Sequence, residues 1–87
     1  MKKQSISKKI LKYTVIFEPE EGGYVVRVPA LPGCVTQGET FEEAVEMIKD
    51  AMQGYLEVLK EEGEEIPQEQ SGVVITQVSI PNPTASI

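Results

Sequence analysis

Residues 22–47 read GGYVVRVPALPGCVTQGETFEEAVEM, and this stretch decides the fold. Residues 24–28 (YVVRV) are aromatic and β-branched, the composition of a strand. The run PALPG at 29–33 breaks it. Pro32-Gly33 suits the two central positions of a type II turn, because glycine tolerates the positive φ required at the second. Residues 34–37 make a short third strand, and Gly38 frees the backbone to enter a helix. Thr40-Phe41-Glu42-Glu43 is a capping box: the Thr40 hydroxyl is expected to accept from the Glu43 amide while the Glu43 carboxylate reaches back to the Thr40 amide. Glu39, Glu42 and Glu43 also complement the positive end of the helix.

The pattern extends on both sides of this block. Upstream, residues 10–18 alternate, with Leu11, Tyr13, Val15 and Phe17 on one side and Lys12, Thr14, Ile16 and Glu18 on the other. This is a first strand, and residues 19–23 (PEEGG) turn it into an antiparallel hairpin with the second. Downstream, Phe41, Ala44, Val45, Ile48, Ala51, Met52, Tyr55, Leu56 and Leu59 trace one helical face. Met47 and Val58 lie off that stripe; they either widen the buried face or mark where a partner docks. Gly63 is a natural helix stop, with Pro67 beyond it. Residues 64–71 are an acidic connector, and residues 72–80 (GVVITQVSI) read as a fourth strand ended by Pro81 and Pro83.

The expected fold is therefore α+β, in the order β-β-β-α-β. The right-handed crossover rule places the fourth strand beside the first, giving a four-stranded sheet of order 3-2-1-4 with one long helix on one face. The chain divides into a flexible basic arm (1–9), a domain (10–80) and a short C-terminal tail (81–87). One helix covers one sheet face. The other, showing Ile16, Val25 and parts of Val73 and Ile75, is expected to pack on another chain, making a dimer or tetramer.

The chain has 87 residues and a net charge of −6, unevenly spread. Five of the eight basic residues are Lys2, Lys3, Lys8, Lys9 and Lys12, and all fourteen acids follow position 17. From Tyr13 onward three basic residues face fourteen acids, a balance of −11. Such a surface repels phosphate and suits a basic protein partner. No apolar run approaches a membrane span, and no secretory h-region is present, so a cytoplasmic protein is expected.

There is no histidine, which removes the commonest general base, most nucleophilic triads and most zinc sites. Cys34 has neither a disulfide partner nor a histidine, and reads as a small semi-buried hydrophobe. A two-metal nuclease needs acids converging from several elements; the first strand offers Glu18 at its end, the helix Glu43 and Glu46, and the fourth strand none. The glycines lack the phosphate-loop pattern. No catalytic residue, cofactor or metal is expected. The exposed helix acids Glu42, Glu46, Asp50 and Glu57 are the candidate partner-binding residues.

The ordered set Gly23-Tyr24, Val28-Pro29, Leu31-Pro32-Gly33-Cys34, Gly38-Glu39-Thr40, Glu43-Ala44 and the helix segment 51–56 resembles the HicB-like antitoxin family, over roughly residues 12–67. The resemblance implies a partial ribonuclease H-like domain without the nuclease carboxylates. It also implies a partner, a small basic HicA-like toxin that cuts mRNA and is neutralised by occlusion. Many members carry a C-terminal DNA-binding domain. This sequence stops at Ile87, so direct DNA binding is not expected. The alternative is a stand-alone homo-oligomeric regulatory or scaffold protein that has lost its toxin.

Overall fold

The computed structural model describes residues 10–69 and 72–85. The basic arm expected over residues 1–9 lies outside the described residues. Three strands, β1 (Ile16–Glu20), β2 (Gly23–Arg27) and β3 (Val35–Gly38), form an antiparallel sheet in the order β1-β2-β3. One helix, α1 (Phe41–Glu61), follows and packs on β2 and β3. The α+β class and the three-strand meander agree with the expectation.

The register explains the core. Phe17 pairs with Val26, and Val26 with Thr36, so these residues share the helix side of the sheet. Val26, Val28, Leu31 and Cys34 meet Ala44 and Ile48 of α1 there, and all six are buried. Tyr13, Val15, Tyr24, Met52 and Leu56 close the rim of this small core. Phe17, Tyr24 and Phe41 add an aromatic cluster, with ring centroids 4.7 Å apart for Phe17–Phe41 and 6.0 Å for Tyr24–Phe41.

The turns follow their residues. The Cys34 amide donates to the Leu31 carbonyl at 2.9 Å and Gly33 has φ 85°, as a turn with Pro32-Gly33 at its centre requires. A second turn, Leu31 N–H to Val28 O at 3.0 Å, precedes it and drives the Leu31 side chain into the core. At the helix start, Thr40 Oγ1 accepts from the Glu43 amide at 3.0 Å. The Glu43 carboxylate reaches one residue further back than expected and accepts from the Glu39 amide at 2.6 Å. At the helix end Glu62 is the C-cap, and Gly63 (φ 70°) and Glu64 donate to Lys60 O and Leu59 O at 3.1 and 2.9 Å, a Schellman arrangement.

Three expectations change. First, β1 begins at Ile16 rather than residue 10 and runs through Pro19 to Glu20. Its partner β2 ends at Arg27, where the chain turns away, so residues 10–15 have no strand to pair with among the described residues. Pro19 is tolerated because β1 is an edge strand. Second, among the described residues the sheet has three strands, and a fourth strand in the order 3-2-1-4 is not seen. Residues 72–80 join no sheet, and Val73, Val74, Ile75, Val78 and Ile80 are 62–80% exposed. The connector instead docks at the start of the β1 side: the Tyr13 hydroxyl donates to the Pro67 carbonyl, and the Thr14 amide and hydroxyl donate to Glu69. Third, the outer sheet face is mixed. Ile16 and Val25 are half-buried and Val35 is exposed, but Glu18 and Arg27 pair across this face at 3.1 Å.

Gly54 stands in the middle of α1 with nothing within 4 Å of an added Cβ. Gly54→Ala is expected to raise the unfolding free energy by about 0.5–1 kcal/mol, since alanine removes backbone entropy from the unfolded chain without meeting a neighbour. Urea unfolding followed by helical circular dichroism checks this; no gain would mean that this turn of α1 is frayed.

Candidate protein-binding site

The helix that supplies the core on one side supplies a charged surface on the other. Glu42, Glu46 and Asp50 follow one another at four-residue spacing, and Glu57 lies two turns beyond Asp50, so the four carboxylates run along the solvent side of α1. All four are exposed. Lys49 pairs with Glu46 at 3.8 Å; such an exposed pair contributes little and leaves the surface acidic. Glu42 and Glu43, in the first turn, face the positive end of the helix, and Lys60, in the last, faces the negative end.

A second acidic feature adjoins this stripe. The β1–β2 turn lies against the β3–α1 junction because Glu20 pairs with Gly23, and Tyr24 with Gly38. The register gathers Glu20, Glu21, Glu39 and Glu43 around an open cleft of about 440 Å³, with Tyr24 and Met47 in its wall. Sequence reasoning assigned Glu39 and Glu43 to the helix cap and Glu20 and Glu21 to a turn. Their meeting is visible only once the hairpin register is known. The cleft and the stripe join at the first turn of α1, so a cationic partner would find one continuous acidic surface. Met47 and Val58 do not widen the buried face: both are about half exposed, at 45% and 51%.

Cys34 is buried, and burial pushes its thiol pKa up, favouring the unreactive neutral form. Among the described residues no group of three or more cysteine or acidic side chains is arranged to hold a metal ion. Burial, with Glu69 nearby, also raises the Tyr13 pKa, which keeps its hydroxyl a donor to Pro67. No helix among the described residues is long and apolar enough to cross a membrane.

Known proteins share this framework. A UPF0150 protein of Thermoplasma acidophilum is 53% identical over 62 residues, covering 70% of this chain and 90% of that one. A UPF0150 protein of Archaeoglobus fulgidus is 44% identical over 71 residues, covering 78% and 96% respectively. Antitoxin HicB 1 of Photorhabdus laumondii is 48% identical over 60 residues, 68% of this chain but 39% of that longer protein. The family model described as the HicB-like antitoxin of bacterial toxin–antitoxin systems matches residues 13–81, which include the whole sheet, the helix and its acidic face. The chain therefore belongs to the HicB-like antitoxin family.

Proposed function

We propose that this chain is a non-enzymatic antitoxin module that binds a small, basic, HicA-like mRNA-cleaving toxin in the cytoplasm and neutralises it by occlusion. The observation that carries the reading is the continuous acidic surface of Glu42, Glu46, Asp50 and Glu57 with the adjoining cleft, in a chain of the antitoxin family. A toxin that grips RNA presents a cationic surface. A rigid carboxylate array competes for that surface, and opposite potentials speed the encounter.

Charge reversal tests this. The variant carrying Glu42→Lys, Glu46→Lys, Asp50→Lys and Glu57→Lys alters exposed positions only, so its fold is expected to survive. Its association rate with a HicA-like toxin should fall by roughly 10- to 1000-fold at low salt. The variant should also fail to protect RNA from that toxin. Stopped-flow binding and an RNA-cleavage assay read the two effects, with circular dichroism as the control for folding. Unchanged binding by a folded variant would remove the acidic helix face from the interface. Failure of the wild type to bind any such toxin would favour the stand-alone homo-oligomer, a reading supported by the exposed apolar segment at residues 73–80.

A further inference from the structure

Residues 73–80 (VVITQVSI) contrast with everything before them. They carry Val73, Val74, Ile75, Val78 and Ile80 at 62–80% exposure, and none of their backbone groups bonds to the backbone of the rest of the described chain. An uncharged, β-branched stretch with an open backbone is a strand lacking its neighbours. The sheet has a complementary open edge: among the described residues, the side of β1 away from β2 has no strand on it. Pro19 has no N–H to offer, so an added strand would pair along residues 15–18. Beside that edge lies a groove of about 690 Å³. Val15, Ile16, Pro29 and Ala30 line one part of it, the chain's own Val73 and Ile75 line another, and Thr14, Gln68 and Glu69 form its polar side.

We propose that the occupant of this groove is the 73–80 segment of a second copy of the chain. It would enter between β1 and the resident 73–80 segment, and the exchange would be reciprocal. Under two-fold symmetry the order across the interface is then β1, incoming segment, resident segment, partner's β1, with the two segments antiparallel. Two half-sheets of three strands become one continuous sheet, and both free β1 edges are covered. A lone added strand would leave the resident Val73 and Ile75 wet; reciprocal exchange covers them as well.

Charge selects a second copy over a basic protein. No charged residue follows Glu69, whereas the chain from Tyr13 onward has a balance of −11. Two copies repel wherever their acids face one another, so they meet best through the surface with least charge. Among the described residues Glu69 is the one carboxylate lining this groove and is engaged by the Thr14 amide and hydroxyl, and the segment beyond it carries no charge. Electrostatic attraction for a cationic partner is concentrated elsewhere, on α1 and the cleft. The proposal is independent of the toxin reading and predicts the opposite salt dependence. Raising ionic strength from about 0.05 to 0.5 M screens charge, strengthening self-association while weakening toxin binding.

The test uses the full chain and the variant Ile75→Lys, whose side chain is 68% exposed in the single chain, so the substitution does not disturb the core. Sedimentation and light scattering should give the wild type twice the 9.6 kDa chain mass, and the variant 9.6 kDa. Hydrogen exchange should show the amides of residues 73–80 slowed about 100-fold or more in the wild-type dimer. Exchange in the variant should be close to that of free peptide. A wild-type monomer with these amides exchanging freely overturns the proposal. So does a monomer with them protected, which would mean pairing with the chain's own β1 in the order 3-2-1-4. A dimer in which they exchange freely, or which survives Ile75→Lys, places self-association on another surface and equally overturns it.

Discussion

Gly38→Ala is expected to lower the unfolding free energy by about 3 kcal/mol, and Tm by roughly 12–24 °C. The reason is contact between backbones. An added Cβ at position 38 would lie 2.5 Å from the Ala44 nitrogen and 2.7 Å from its Cα. Neither atom belongs to a side chain that can rotate away, so the first turns of α1 must lift from the sheet. That movement would open the seat of Ala44 and Ile48, two of the six buried core residues. Gly23 belongs to the same contact, since a Cβ there would stand 2.1 Å from the Gly38 carbonyl oxygen, and its φ of 151° disfavours other residues. The double variant should therefore lose less than the sum of the two singles. Thermal and urea unfolding by circular dichroism measure both. A loss below about 0.5 kcal/mol for Gly38→Ala would show that helix and sheet are not held at this distance.

Leu31→Ala is expected to cost about 2–5 kcal/mol. Leu31 is 0% exposed, although it lies in the loop between β2 and β3, where an apolar residue would ordinarily be wet. Consecutive turns, closed by the Leu31 and Cys34 amides, fold that loop back over the sheet so that its side chain joins Val26, Val28 and Ile48. The Tyr55 hydroxyl, donating to the Pro32 carbonyl at 2.8 Å, ties α1 to the same loop. A domain of this length has roughly 4–13 kcal/mol of stability in all, so the truncated protein should be partly unfolded at 37 °C. Leu31→Met, which nearly conserves volume, should cost under about 1.5 kcal/mol. Equal losses for the two variants would mean that shape around this residue matters more than buried volume.

The elements legible in the sequence were those closed by neighbours in the chain. The Thr40 cap, the Pro32-Gly33 turn, the Gly63 stop and the apolar stripe of α1 each depend on residues within one or two turns, and each formed where expected. The length of β1 was not legible in the same way. Alternation over residues 10–18 says which side chains share a face, but the ladder extends only as far as β2 accompanies it. The four helix acids could be placed on the solvent side from spacing alone. The cleft beside them needed the hairpin register, which brings residues 20 and 21 next to residues 39 and 43.

Residues 72–80 mark the boundary most clearly. Their composition calls for a strand, yet no local contact can make one, because every backbone bond of a strand goes to a distant segment. The sequence by itself determined the meander, the capped helix, the acidic balance and the absence of histidine. Tertiary structure alone decided how far β1 pairs, where the carboxylates converge, and that an uncharged apolar segment is left in solvent beside an open sheet edge. Helices and turns are specified by short-range bonds that the sequence spells out; sheets and surfaces depend on which distant partners the folded chain can bring within reach.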